Sequence, residues 1–111
     1  MIDFDVSTTD DGVGVVVPRG RLNMVSARRL KEVLGELVDG GHPRIVVDMH
    51  ATTFLDSSGL GALIGGLKTA RQAGGDLRIA RPTEAVTTVL ELTNLDKLLR
   101  PRDAVETAFD D

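Results

Sequence analysis

Residues 54–66 read FLDSSGLGALIGG and follow closely on residues 45–47, which read IVV. The short continuous apolar run at residues 45–47 indicates a central strand that is buried on both faces. The acidic and serine residues at 56–58 then precede apolar residues at helical spacing, which predicts a helix from about Ser57 to Ala73, ended by Gly74-Gly75. Phe54 and Leu55 are interpreted as part of a loop. Functional loops of α/β folds gather where a strand ends and a helix begins, so this stretch is the first candidate for a site.

The chain before this stretch predicts a hairpin and a helix. Ile2 to Ser7 alternates apolar and polar residues, which indicates a half-buried strand. Asp10-Asp11-Gly12 has the composition of a hairpin turn, and Val13 to Val17 is rich in the branched residues that strands prefer. Ser26 is expected to cap a helix that runs to about Asp39, because apolar residues recur there at helical spacing.

The chain after this stretch continues the alternation of strands and helices. We expect a strand over Asp76 to Ala80, a helix over Thr83 to Leu92, a short edge strand at Leu98-Leu99 and a last helix from Asp103 to Phe109. The sequence therefore predicts an α/β fold in which a mixed sheet of about five strands, with an N-terminal hairpin, packs against about four helices. A chain of 111 residues is expected to form a single domain over residues 1–111.

The composition argues against nucleic-acid binding, thiolate metal sites and a membrane span. The formal net charge is −4, whereas nucleic-acid binding needs a basic face for the phosphates. The three aromatic residues are all Phe, so the sequence offers no platform for stacking bases. The absence of cysteine excludes disulfides and thiolate metal sites. No apolar run approaches the ~20 residues of a membrane span, and the N-terminus lacks the pattern of a signal peptide. We expect a cytoplasmic protein that needs no cofactor, binds no nucleic acid and does not span a membrane.

Asp56, Ser57 and Ser58 crowd the predicted start of the second helix. Asp and Ser accept hydrogen bonds from the free N–H groups of a helix start, so capping is one interpretation. One cap is sufficient, however, and two consecutive serines leave at least one hydroxyl free near the positive end of the helix dipole. Such a position tolerates an added phosphate, so phosphorylation is the other interpretation.

Glycine is frequent in the same helix, at positions 59, 61, 65 and 66. Each glycine costs up to ~1 kcal/mol relative to alanine inside a helix, so another interaction must offset that cost. By spacing, Leu60, Leu63, Ile64 and Leu67 form the buried stripe, and Ser58, Ala62, Gly65 and Thr69 form a second face with small side chains. That second face predicts either close packing on a neighbouring element or an exposed surface where a partner approaches closely.

Enzyme signatures do not fit the sequence. Gly59-Leu60-Gly61 with Gly65 is one residue too long for the dinucleotide-binding fingerprint, and Leu55 stands where a nucleophile elbow requires glycine. His50 is interpreted as a solvated loop histidine and His42 as part of a turn before Pro43. Two histidines and no cysteine give no basis for a metal site.

These residues resemble the signature of STAS domains, the sulfate transporter and anti-sigma factor antagonist family. The resemblance extends over nearly the whole chain, and the lack of predicted membrane spans points to the stand-alone antagonists. It is carried by Leu55-Asp56-Ser57-Ser58-Gly59-Leu60-Gly61 after the strand Ile45-Val46-Val47-Asp48, by Gly20-Arg21-Leu22, and by Gly74-Gly75 before Leu77-Arg78-Ile79.

The resemblance implies a partner switch. In the family, the serine directly after the aspartate is phosphorylated by an anti-sigma factor that is also a kinase of the histidine-kinase-like ATPase type. The unphosphorylated antagonist binds that anti-sigma factor and frees a sigma factor, and a metal-dependent serine phosphatase resets the switch. The matching serine is Ser57, so the chain would be a kinase substrate and not an enzyme.

The resemblance also implies a partner-binding surface. Its expected members are Arg21, Asn23, Asp56, Ser58, Gly59, Leu60, Gly61 and Gly65. Asn23 departs from the family pattern, which often has aspartate in the loop facing the phosphorylated serine, so partner choice or dependence on phosphorylation could differ. Two other roles stay open, a non-phosphorylated scaffold of a signalling complex and a soluble component of an ABC transport system. The oligomeric state is expected to be a monomer or a weak dimer.

Overall fold

The computed structural model describes residues 3–110, which form five strands and four helices. The strands are β1 (Asp3–Thr8), β2 (Gly14–Leu22), β3 (Arg44–Asp48), β4 (Thr52–Leu55) and β5 (Asp76–Ala80). The helices are α1 (Met24–Asp39), α2 (Ser57–Gln72), α3 (Glu84–Leu92) and α4 (Asp96–Leu99). The predicted start of the first strand at Ile2 lies outside the described residues, as do Met1 and Asp111. None of the helices in residues 3–110 has the length and apolar character needed to cross a bilayer.

The sheet is mixed, as predicted. β1 and β2 form the antiparallel hairpin, and Gly12 in its turn has a φ of 82°, in the left-handed region that favours glycine. β2 then pairs in parallel with β3, and β3 pairs in parallel with β5. The strand order is β1-β2-β3-β5, and β4 pairs separately with β2.

The length of β2 decides where the site lies. Its first residues, Gly14 to Val16, pair with β3, whereas Gly20 to Leu22 pair in parallel with β4. The hydroxyl of Thr52 donates a hydrogen bond of 3.0 Å to the carbonyl oxygen of Pro18, and this bond secures β4 on β2. Because β2 and β4 run in the same direction and each leads into a helix, α1 and α2 begin at the same edge of the sheet.

The main core lies between the sheet and helices α1 and α2. Apolar residues on one face of β2, β3 and β5 pack against the apolar stripes of both helices. They include Val16, Ile45, Val47, Leu77 and Ile79 from the strands and Leu30, Leu34, Leu63 and Leu67 from the helices. This burial explains why the central strand is a continuous apolar run, since both of its faces are covered.

The other face of the sheet is covered by the chain after α4. Ala108 is fully buried against Val13, Val46 and Ala80. The Arg78 guanidinium donates a hydrogen bond of 3.0 Å to the carbonyl oxygen of Ala108 and lies 4.6 Å from the ring centroid of Phe109. Residues 102–109 therefore act as a cover segment for this face.

Two predictions, the cap of the first helix and the loop at Phe54 and Leu55, are wrong. Helix α1 begins at Met24, and its N-cap is Asn23, whose side-chain oxygen accepts hydrogen bonds from Val25 and Ser26. Ser26 instead accepts a bond of 2.9 Å from the Asn23 N–H, so the two residues form a reciprocal capping box. Phe54 and Leu55 belong to strand β4 and not to a loop, because β2 extends far enough to pair with them.

Two predictions near the C-terminus are also wrong. Leu99 lies fully buried in helix α4, so Leu98-Leu99 is not an edge strand. The outer edge of β5 is instead occupied by a bridge between Ala80 and Arg102. The predicted helix from Asp103 to Phe109 is replaced by turns, because this segment has to follow the sheet surface to place Ala108 against it.

Candidate functional site

The starts of helices α1 and α2 lie side by side. Leu22, the last residue of β2, pairs with Leu55, the last residue of β4. The next residue in each chain segment is the N-cap of a helix, Asn23 for α1 and Asp56 for α2. The first N–H groups of a helix lack partners within it and carry the positive end of its dipole. Two such positive ends therefore share one edge of the sheet.

Asp56 performs the capping at the start of α2. Its side-chain oxygen accepts a hydrogen bond of 3.0 Å from the N–H of Gly59. Ser57 and Ser58 occupy the first two helical positions, where Ser57 is exposed and Ser58 is half-buried. Within residues 3–110, neither serine hydroxyl has a hydrogen-bond partner. Asp56 thus leaves both hydroxyls available for chemistry.

Arg21 and Phe54 each come two residues before a cap, Arg21 before Asn23 and Phe54 before Asp56. They are neighbours in the β2–β4 ladder, and the Arg21 guanidinium carbon lies 4.1 Å from the ring centroid of Phe54. A guanidinium in this position is held by the negative face of the ring. Among the described residues no carboxylate pairs with Arg21. Its positive charge therefore remains available at the edge where α2 begins.

Gly59, which was predicted to contact the partner, is buried. A Cβ atom at this position would lie 2.6 Å from the carbonyl oxygen of Leu22 and 2.7 Å from the Leu55 side chain. The backbone of α2 approaches the sheet so closely that no side chain fits. This glycine serves packing and contributes no exposed surface.

The buried stripe of α2 also differs from the prediction. It consists of Gly59, Ala62, Leu63, Gly66, Leu67 and Ala70, whereas Leu60 and Ile64 are only partly buried. Small residues form much of the stripe because α2 packs closely against α1 and the sheet. Ala62 therefore lies in the core and not with Ser58 and Thr69 on an open face.

Gly61 and Gly65 do form open surface. A Cβ atom added at either glycine would meet nothing within 4 Å. Gly61 lies one turn of helix after Ser57, and Gly65 one turn after Gly61, so the three positions follow one side of α2. The partly exposed Leu60 borders this side. The line from Ser57 through Gly61 to Gly65 is consequently free of large side chains for two turns of the helix.

A second polar cluster, formed by Asp48, His50 and Arg81, was not predicted from the sequence. Asp48, at the end of β3, has a side chain that is 3% exposed, and it accepts hydrogen bonds from the Arg81 guanidinium. The ring nitrogen Nδ1 of His50 lies 2.9 Å from the same carboxylate, so His50 is not simply a solvated loop residue. Arg81 has a φ of 48°, an uncommon conformation for a residue with a side chain.

The charge of Asp48 is stabilised by these contacts. Burial disfavours a carboxylate, but the hydrogen bonds from Arg81 and His50 outweigh burial and hold the pKa of Asp48 below its ordinary value of 3.8. The same ion pair raises the pKa of Arg81. Within residues 3–110 no hydrogen bond joins this cluster to Ser57, and no group of three His, Asp or Glu side chains could hold a metal ion. The cluster is a structural ion pair at the ends of β3 and β5.

Comparison with known proteins identifies the family. The sequence profile of the STAS domain matches residues 6–108. This chain belongs to the STAS domain family. The signature that the sequence resembles, residues 55–61, forms the start of α2 described above. The family resemblance predicted from the sequence is therefore confirmed.

Relatives of this STAS domain are named as regulators. The anti-sigma-B factor antagonist of Staphylococcus aureus (strain NCTC 8325 / PS 47) is 29% identical over 100 residues, which are 90% of this chain and 93% of the relative. A solved anti-sigma factor antagonist from Mycobacterium paratuberculosis is 30% identical with a TM-score of 0.86, covering 97% of this chain and 91% of that one. The Bacillus cell fate determinant SpoIIAA in its phosphorylated form is 18% identical with a TM-score of 0.76 over 97% of each chain, which shows the shared fold.

Proposed function

We propose that this STAS domain is an anti-sigma factor antagonist whose state is set by phosphorylation of Ser57. Unphosphorylated, it binds an anti-sigma factor and so frees a sigma factor. Phosphorylated, it releases the anti-sigma factor. The observation that carries the proposal is the exposed Ser57 hydroxyl, which has no partner among the described residues and lies directly after the Asp56 cap.

The relatives support this role. Proteins that cover most of this chain at 29–30% identity are named anti-sigma factor antagonists, and a protein of the same fold has been solved in a phosphorylated form. The proposed partners are an anti-sigma factor that is also a serine kinase of the histidine-kinase-like ATPase type, and a metal-dependent serine phosphatase. In this proposal the chain itself is a single domain that catalyses no reaction, holds no cofactor and acts in the cytoplasm as a monomer or weak dimer.

The geometry at Ser57 supports both states of the proposed switch. In the unmodified state, the open side formed by Ser57, Gly61 and Gly65 lets a partner approach the α2 backbone closely. A phosphate adds roughly −1.5 to −2 charges at neutral pH. The helix dipole and the free N–H groups of the first turn offset that charge within the protein. A partner packed against the same surface would have to accommodate the bulky phosphate and bury its charge without a compensating charge. Burying an uncompensated charge costs binding free energy.

The test is phosphorylation by purified anti-sigma factors of the source organism. Each is incubated with the chain and MgATP, and the modified residue is mapped by mass spectrometry. We expect phosphate on Ser57, none on a Ser57→Ala variant, and normal modification of the matched Ser58→Ala control. Phosphate on Ser58 or on a threonine would show that the assigned site is wrong. Binding without any phosphorylation would instead favour the scaffold role.

A further inference from the structure

The first two residues of α1, Met24 and Val25, are unusually exposed for large apolar side chains. They are 73% and 79% exposed, respectively, and neither belongs to an apolar cluster of the described residues. Together with Arg28 they line a shallow surface cavity of about 250 Å³. Single exposed apolar residues are common, but these two are consecutive and directly follow Asn23, the neighbour of the Asp56 cap.

The surroundings of these residues are positively charged. Neither Arg21 nor Arg28 is part of an ion pair within residues 3–110, and neither α1 nor α2 has an acidic residue in its first turn. Arg29, one residue further along α1, is by contrast paired with Glu32 and Glu36. The positive ends of two helices add to the free cations. Asp56 brings one carboxylate to the same edge, so Arg21, Arg28 and the two helix starts leave it positive on balance in a chain of net charge −4.

We infer that Met24, Val25 and Arg28, hereafter the α1 patch, select the anti-sigma factor partner by its surface chemistry. The partner surface that fits is apolar at its centre, to cover Met24 and Val25, and bordered by carboxylates, to pair with Arg28 and Arg21. Methionine and arginine are both enriched at protein–protein interfaces, and arginine is frequent among the residues that dominate the binding energy. This inference rests on the proposed function and names the partner chemistry that the function requires.

The charges connect the α1 patch to the switch. Ser57 begins α2 directly beside the start of α1, so a phosphate there adds its negative charge next to the free cations. Carboxylates of the partner then meet a surface whose positive charge has been cancelled, and like charges across an interface weaken binding. Asn23 acts in the opposite direction to the phosphate and favours a partner with carboxylates, because a neutral amide leaves this edge more positive than an aspartate would.

A membrane fits the α1 patch less well than a protein does. A helix that lies on a membrane presents a long apolar face together with basic residues. The apolar face of α1, formed by Leu30, Val33, Leu34 and Leu37, is buried in the core of the protein. Only its first turn presents exposed apolar side chains, which is an area suited to a protein pocket.

The test uses the anti-sigma factors of the source organism, purified and titrated with this chain by calorimetry. The Met24→Ser/Val25→Ser double variant and the Arg28→Glu variant are expected to weaken binding by ~10-fold or more. The Arg28→Glu loss should be greater at low salt than at high salt, because salt screens charges at an interface. Leu92→Ser, which removes an apolar residue that is 80% exposed on α3, and Lys97→Glu, a charge reversal of an exposed lysine on α4, are the matched controls and should change affinity less than ~2-fold.

The outcomes separate this inference from the proposed function. If no anti-sigma factor binds the unmodified chain, the proposed function fails and the inference fails with it. If one binds, and both α1-patch variants bind as well as the controls while keeping their melting temperatures, the inference alone is overturned. It is overturned as well if the patch variants abolish binding to anionic phospholipid vesicles or self-association in sedimentation, and leave anti-sigma factor binding unchanged.

Discussion

The main-chain N–H of Asp56 donates a hydrogen bond of 3.3 Å to the carbonyl oxygen of Leu22. This bond joins the end of β2 to the residue that caps α2, and so fixes the two helix starts relative to each other. The Gly59 backbone packs on the same carbonyl group, which leaves no room for a Cβ atom. The position of Ser57 is thereby set by hydrogen bonding and close packing of the start of α2 against the sheet.

Replacing Asp56 by alanine should destabilise the protein by about 0.5–2 kcal/mol, because the N–H of Gly59 loses its capping acceptor. Urea denaturation followed by circular dichroism measures the free energy of unfolding. Ser58→Ala is the matched control, since the Ser58 hydroxyl has no partner among the described residues. Equal losses for the two variants would contradict the assignment of Asp56 as the cap.

Alanine substitutions at Gly59 and Gly65 should change stability in opposite directions. At Gly65 the added methyl group enters open space, so better helix propensity stabilises the protein by up to ~1 kcal/mol. At Gly59 the methyl group would overlap the Leu22 carbonyl oxygen, and the strain should cost about 1–3 kcal/mol. Thermal melting of both variants provides the measurement. A stabilised Gly59→Ala variant would mean that α2 does not approach the sheet as closely as described.

Asp48→Asn should lower the stability of the protein at neutral pH and make less difference in acid. The pKa of Asp48 is lower in the folded protein than its ordinary value of 3.8, so its charge contributes stability above about pH 4. That contribution is lost as the pH falls through the folded pKa. The difference in the free energy of unfolding between variant and wild type should therefore be full at pH 7 and should begin to narrow below about pH 4. Asp10→Asn, in the exposed hairpin turn, is the control and should show no comparable gap at neutral pH.

Phosphorylation of Ser57 should reduce partner affinity by at least ~10²-fold and leave the melting temperature nearly unchanged. Phosphoserine can be incorporated at position 57 during synthesis, so the experiment needs no kinase. Calorimetric melting and titration with the anti-sigma factor give the two quantities. Equal affinities of the two forms would refute the switch, and a large fall in melting temperature would refute the argument that the helix start accommodates the phosphate.

The sequence predicted the elements whose pattern is local and missed those that depend on distant partners. The buried run at residues 45–47 and the glycine pair after α2 were sufficient to place β3 and the end of α2. Phe54 and Leu55 became a strand only because β2 is long enough to pair with them. Leu98 and Leu99 were misassigned because the edge of β5 is occupied by Arg102, which no local pattern indicates.

The candidate site was predicted in the same uneven way. The crowding of Asp56, Ser57 and Ser58 correctly indicated a capped helix start, since capping chemistry is local. The roles of the glycines required the packing of α2, because Gly59 and Gly65 look alike in the sequence and differ only in what surrounds them. The exposure of Met24 and Val25 also depends on how α1 packs, and spacing within the helix does not reveal it.

The cover segment has a consequence for how the protein is made. Ala108 and Phe109 complete the side of the sheet that includes Val46 and Arg78. A ribosome synthesises Val46 long before Ala108, so during translation that side of the sheet stays uncovered until residue 109 has left the exit tunnel. Contacts between residues so distant in the chain are also slow to form, because a long loop must close first. The cover segment can therefore close over the sheet only after α1 and α2 have been synthesised, on the side opposite these two helices.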